Sequence, residues 1–342
     1  MITTVSLKNF TVFEELKMEC APGVNIFIGE NGTGKTHLLK LIYAACDLTK
    51  SPLEDMLLEL QETFKTHPAK LIHNIQFNTE AFLKLSRKKE DQNLSLKVSL
   101  KDLKNNLALN SYPDPCSDWE KEPIDSIFIP PKEILSNAPG FRSLYSSREV
   151  AFDRTYYDII DKAFLPPLRN IENFEGMILK LEQALGGHIE QEGERFFLRK
   201  KEGIRFDFML VAEGLKKLGL LWLLIKNGSI KKGSVLCWDE PDANLNPKLL
   251  KIVASILLEL QQMGVQIFLS THNYVLLKEF DLQTKKNHSV RFHAFYRDLE
   301  SGSVKLESTD HYLNIAPNAI ADTFDDLYDR DIQRTLKGEN DA

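Results

Sequence analysis

The chain has 342 residues, 43% of them hydrophobic and 27% charged, with a formal net charge of −6. This is the composition of a globular protein with enough apolar residues for one large or two small domains, and its acidity argues against a large nucleic-acid-binding surface without excluding a local basic patch. The longest apolar run, residues 218–225, is far too short to span a bilayer, and the N-terminus lacks the basic-then-apolar pattern of a secretory leader, so a cytoplasmic location with no membrane partner is expected.

Residues 2–10 and 12–19 alternate enough to predict two strands around Asn9-Phe10. Gly23 ends a turn, and the β-rich run 24–28 follows. Residues 35–46 have the period of an amphipathic helix, and Pro52 opens a second helix to about residue 65. Two short alternating runs, 75–77 and 94–100, predict antiparallel strands, with a solvated turn at 87–93. Pro113, Pro115 and Pro123 mark a loop. A buried strand is expected at 124–129, then helix from 149 to about 178, broken at Pro166-Pro167. Three short strands between 186 and 208 are separated by Gly193 and Gly203 turns. A long apolar helix, 209–226, ends at Asn227-Gly228. Apolar strands at 235–238 and 265–269 flank an amphipathic helix at 248–262. One more helix, a strand near 290–296 and a hairpin through Ser301-Gly302 complete the pattern, and the acidic stretch from 322 is expected to fray. Cys20, Cys46, Cys116 and Cys237 are scattered without C-x-x-C spacing and read as reduced thiols.

The stretch between the run 24–28 and the first helix carries chemistry. Gly29-Glu30-Asn31-Gly32-Thr33-Gly34-Lys35-Thr36 fits G-x-x-x-x-G-K-[ST], in the strand–loop–helix context that this phosphate-binding loop requires. Its glycines let backbone N–H groups turn toward a polyphosphate, and the helix that follows points its positive end at the same anion. Lys35 would reach the terminal phosphates of ATP, and the Thr36 hydroxyl would ligate Mg²⁺.

Two later strands end in polar clusters. The run 235–238 leads into Asp239-Glu240-Pro241; Asp239 is placed to hold Mg²⁺, and Glu240 to polarise a water as general base. The run 265–269 leads into Ser270-Thr271-His272, which puts His272 in position to sense the γ-phosphate or orient that water. Basic clusters at 87–89, 199–201 and 231–232 lie in expected turns; solvated turns are the plainer reading, a nucleic-acid track the sharper one.

The succession of phosphate loop, Asp-Glu-Pro, Ala243-Asn-Leu-Asn-Pro247 and Ser-Thr-His resembles the ATP-binding-cassette (ABC) type of ATPase. With the opening Val5-Ser-Leu-Lys-Asn-Phe10, it is most similar to the SMC/RecF/OLD-like group and to AAA-annotated ATPases of bacterial defence and mobile-element operons. The resemblance implies an α/β fold, an ABC-type head with a mixed sheet core, antiparallel strands and a helical/β second lobe. Residues 1–130 and 216–342 would form lobe I, and 131–215 lobe II. It further implies an ATP-dependent head-to-head homodimer or higher oligomer, in which a signature helix of one subunit meets the ATP of the other.

The positional match for that signature is Val211-Ala-Glu-Gly-Leu215. It lacks the family's serine, so Gly214 and a following lysine, Lys216 or more readily Lys217, are expected to complete the partner's ATP site. The family's glutamine loop has no clear match; Glu133 and Gln76 are its candidates. Phe10 and Phe13 are candidates to pack on adenine, with core residues as the alternative. OLD-like relatives often carry a nuclease domain; here an effector on a separate chain is expected, a nuclease or toxin. A DNA-repair ATPase and a transporter's nucleotide-binding subunit are the rivals.

Overall fold

The computed structural model describes residues 1–52, 55–73, 80–89, 92–103, 106–111, 119–120, 122–147, 150–171 and 173–336. Gln76, Cys116 and the expected strand at 75–77 lie outside them.

A six-stranded sheet organises the molecule. Its strands are β3 (Val24–Gly29), β7 (Ser126–Ile129), β11 (Val235–Asp239), β12 (Gln266–Ser270), β13 (Val290–Arg297) and β14 (Val304–Thr309), in the order β14-β13-β3-β12-β11-β7. The first five named run parallel and only β14 is antiparallel. The central strands are apolar on both faces, as a sheet buried on both sides must be. Leu236 and Trp238 face one core, while Val235 and Cys237 face the other.

The second of these cores lies under an antiparallel sheet of order β2-β1-β4-β5-β6: β1 (Ile2–Phe10), β2 (Phe13–Glu19), β4 (Glu80–Lys89), β5 (Gln92–Leu103) and β6 (Asn106–Ser111). Between the two sheets runs α1 (Lys35–Asp47), with α2 (Met56–Phe64) beside it. The strands β4 and β5 extend further into the 87–93 stretch than its charge pattern suggested, because Arg87 is buried and its guanidinium bonds the carbonyls of Trp119 and Glu122.

The first core gathers α3 (Phe141–Ser147), α4 (Arg154–Ala163), α5 (Glu175–Leu185), α6 (Glu213–Lys226), α7 (Pro247–Gln262) and α8 (Tyr274–Gln283). A small sheet, β10-β9-β8, joins them from β8 (Gly187–Glu192), β9 (Arg195–Lys200) and β10 (Arg205–Asp207). Side chains of the 131–215 segment, such as Tyr156, Leu181 and Phe208, share this core with Leu236 and Leu269 of the main sheet.

Polar ties fasten the segment to the helix that follows the phosphate loop. Lys40 of α1 pairs with Asp153 at 2.6 Å, and the Tyr43 hydroxyl donates to Asp158 at 2.7 Å. Arg154 reaches Glu59 of α2 at 2.6 Å. The acidic stretch expected to fray from 322 lies, as far as residue 336, in a helix, α9 (Ala319–Leu336). None of its residues is fully buried, and Phe324 stacks on Tyr274 of α8.

Candidate functional site

Parallel strands deliver their C-terminal residues to one sheet edge, where α/β folds bind ligands. The register does this here. Asp239 lies opposite Ser270, Ser270 opposite Phe27, and Phe295 opposite Gly29. The phosphate loop, the Asp-Glu pair and the Ser-Thr-His cluster therefore meet at one edge, as the sequence pattern led one to expect.

The loop has the backbone its glycines permit. Gly29 has φ 139°, and a Cβ there would stand 2.0 Å from the Phe295 carbonyl oxygen. Gly34 has φ 87°, and a Cβ would strike Val12 and Phe13 at 2.5 and 2.6 Å. Any side chain at either position would collide with the packing that holds the loop in this shape. Gly34 also caps α1 without a side-chain bond, which leaves the first-turn N–H groups of that helix available to an anion.

Lys35 folds over its own loop. Its ammonium donates to the carbonyls of Gly29 at 2.9 Å and Glu30 at 2.7 Å, while Thr33 Oγ1 donates to Glu30 at 2.8 Å. Burial lowers the Lys35 pKa to about 8, against the pull of Asp239, Glu240 and Glu30. At neutral pH it remains a cation. Asn31 lies at the exposed tip of the loop.

Thr36 Oγ1 donates to Asp239 Oδ2 at 2.8 Å. Asp239 is buried, and its other oxygen accepts from Ser270 Oγ. Ser270 Oγ in turn accepts from the Glu240 N–H at 3.1 Å. Thr36 and Asp239 thus form an oxygen pair of the hard-donor type that suits Mg²⁺, and they fit the cation expected there. Burial first, then Asp239 and Asp242, raise the Glu240 carboxyl above the usual range; Lys217 and Lys35 oppose the rise. A raised carboxylate is better matched to accepting a proton near neutrality. His272 is shifted the other way, by burial and by Lys35, which favours the neutral imidazole.

Three residues join the site that the motifs did not single out. Ser270 links Asp239 to Glu240, and Thr271 Oγ1 donates to Asp242 at 2.6 Å. Arg297, at the end of β13, donates to the Gly32 carbonyl at 3.0 Å and brings a guanidinium to the loop. Ser270 and Thr271 stood in plain view beside His272; nothing local marked Arg297, which reaches the loop only through the pairing of β13 with β3.

Two expectations need correction. Phe10 is fully buried, its ring edge-on to Phe64 at 6.1 Å between centroids, and Phe13 is likewise enclosed beneath Gly34. Both are core residues with no surface for a base. Lys217 does not extend outward from α6: it is 2% exposed and donates to the carbonyl of its own Glu240 at 2.9 Å. Lys216 pairs at 3.8 Å with Glu133, whose carboxylate also accepts from Ser136. Gly214 packs against the backbone of Asn244 and Leu245.

The fold is that of an ABC-type ATPase head. Solved SMC heads share the architecture. The SMC head domain from Thermotoga maritima superposes with a TM-score of 0.53 at 17% identity, covering 90% of this chain and 98% of that one. An SMC head bound to the C-winged helix domain of ScpA gives 0.55 at 15%, covering 90% and 97%. The chain belongs to the family described as "AAA domain, putative AbiEii toxin, Type IV TA system", which matches residues 24–278. Among curated relatives, the DNA replication and repair protein RecF of Staphylococcus haemolyticus is 52% identical over 42 residues, 12% of this chain and 11% of RecF. RecF of Pseudoalteromonas translucida is 39% identical over 77 residues, 22% and 21% of the two chains. The chain therefore matches about a tenth to a fifth of these relatives' length. No helix among the described residues is long and apolar enough to cross a membrane.

Proposed function

We propose that the protein is a Mg²⁺-dependent ATPase whose head-to-head dimer closes on ATP and opens on hydrolysis. The observation that carries this reading is the contact between Thr36 and Asp239, with Glu240 the next residue and Lys35 the preceding one. Four groups of the right chemistry are held together by two strands and one loop.

The loop backbone, the α1 N-terminus and Lys35 bind the triphosphate and balance its charge. Thr36 and Asp239 would hold the metal, which would neutralise part of the triphosphate charge. Glu240 accepts a proton from the water that attacks the γ-phosphorus as the bond to the bridging oxygen breaks. Neutral His272 orients that water or bonds a γ-phosphate oxygen. The products are ADP and phosphate.

The closed and open states would work as a switch on a separate effector protein, in the manner of a defence or toxin system. The family description, and the fact that a similarly folded SMC head binds a ScpA domain, support a partner chain. A DNA-linked ATPase is the second reading, favoured by the segments shared with RecF, a DNA replication and repair protein.

Phosphate release measured with Mg²⁺ and with chelator tests the chemistry. Glu240→Gln should retain ATP binding, hydrolyse at least ~10²-fold more slowly, and accumulate an ATP-bound dimer in size-exclusion chromatography with light scattering. Turnover of this variant at the wild-type rate would remove Glu240 as base. DNA affinity that requires ATP and falls with salt would favour the second reading over the first.

A further inference from the structure

The start of α6 grips the turn that follows β11. A Cβ on Gly214 would lie 2.6 Å from the Asn244 carbonyl oxygen and 3.1 Å from Leu245 Cα, so helix and turn touch backbone to backbone. Glu213 accepts a 2.5 Å bond from Asn244 Nδ2. One helical turn on, Lys217 donates to the Glu240 carbonyl at 2.9 Å. Positions 213, 214 and 217 share one side of a helix.

Glu240 needs such a hold. Its φ of 50° lies in the left-handed region, which a non-glycine residue seldom adopts without support from its surroundings. Its N–H donates to Ser270 Oγ at the end of β12, and its carbonyl accepts from Lys217. The backbone on both sides of the residue is therefore fixed, one side by the sheet and the other by α6. Burying an ammonium is costly unless it is paired. Asp242, Glu240, Glu213 and Asp239 offset that cost here.

We propose that Lys217 is a positioning residue for the active site of its own subunit, holding the Glu240 backbone from α6 so that a shift of α6 re-aims the carboxylate. The proposal rests on the reading of Glu240 as the base. It reverses the expectation that Lys217 serves the partner's ATP: its ammonium is already engaged within its own chain. It also gives the signature-position helix a mechanical link to the chemistry beside it.

The test uses the full chain with Lys217→Met and Lys217→Arg. The methionine variant should keep ATP affinity within about twofold yet lose about tenfold or more in kcat, and arginine, which can still donate to the carbonyl, should restore part of it. In a Glu240→Gln background the methionine change should cost nothing further, since its effect runs through Glu240. Mixed Lys35→Ala and Lys217→Met subunits should show no recovery, because each site then carries one defect in cis. Amide exchange across 240–245 should quicken about tenfold in Lys217→Met, a readout independent of turnover.

If the methionine variant fails to fold, Lys217→Gln, polar but too short to reach the carbonyl, is read in its place. Recovery in the mixture, an equal loss in the Glu240→Gln background, or unchanged exchange would each overturn the proposal. An inactive wild type would sink the ATPase reading instead, and the exchange experiment would still decide the clamp.

Discussion

Thr36 and Asp239 are hydrogen-bonded at 2.8 Å although 203 residues separate them in the chain. The bond follows from strand order. Thr36 opens the helix after β3, Asp239 ends β11, and β12 lies between the two strands with every register parallel. One hydroxyl on the loop and one carboxylate on the sheet are thereby held together, the pair proposed above to hold the metal.

Loss of the loop lysine should abolish high-affinity nucleotide binding. Lys35→Ala removes the one side-chain cation inside the loop motif, while the bond from the Thr33 hydroxyl to the Glu30 carbonyl stays in place. Calorimetric titration with ATP–Mg²⁺ should show affinity reduced by at least ~10²-fold, about 3 kcal/mol, in a protein with an unchanged circular dichroism spectrum. Wild-type affinity would remove the loop as the binding site.

Ser270→Ala should weaken catalysis without unfolding the chain. The hydroxyl makes two bonds, to the Asp239 carboxylate and from the Glu240 N–H. Each is worth about 1–2 kcal/mol, so the rate is expected to fall about tenfold or more and the Mg²⁺ requirement to shift to higher concentration. Steady-state rates across a Mg²⁺ series would reveal this. An unchanged rate and metal dependence would mean that Asp239 and Glu240 hold their places unaided.

ATP affinity should decline on the alkaline side. Burial brings the Lys35 pKa down to about 8 in the free protein, so the cation that meets the phosphates is fully present below that pH and is lost above it. Dissociation constants measured from pH 7 to pH 9.5 should rise several-fold across the series. Lys35→Arg, which does not deprotonate in this range, should give a flat profile, whatever its absolute affinity.

Stability should fall in mild acid through His293. This side chain is fully buried between Ser308 at 2.8 Å and Asn25 at 3.3 Å, and burial lowers its pKa to about 3. The unfolded chain takes up a proton near pH 6.5 that the folded chain refuses until about 3. Stability from this group is therefore complete above 6.5 and is lost as pH falls toward 3, by about 3 kcal/mol near pH 4. Urea melts at pH 7 and 4.5 should differ by less in His293→Asn than in the wild type.

Much of the fold was legible because its signals are local. The phosphate loop declares itself through glycine spacing between a strand and a helix, and the two apolar strands that end in Asp239 and Ser270 through composition and length. Helix α6 was overextended at its N-terminus by four residues, since Met209 and Leu210 are apolar but mostly exposed, in a turn capped by Asp207. Helix α9 was read as fraying because its many aspartates hide an apolar series at Phe324, Tyr328 and Ile332.

The sequence by itself determined the local motifs: where the glycine-rich phosphate-loop pattern falls, which carboxylates follow the strand, and which polar cluster ends the next one. Those are properties of short stretches, where spacing dictates backbone shape. Tertiary structure alone decided which way each side chain faces. Phe10, a candidate to pack on adenine, is enclosed against Phe64, and Arg297 is remote in sequence yet bonded to Gly32. Lys217 carries a charge that any surface reading would turn outward, but the left-handed turn at Glu240 offers it a carbonyl, and the carboxylates around that turn make the buried ammonium tolerable. Such pairings depend on strand order and close backbone approach, which no local pattern encodes.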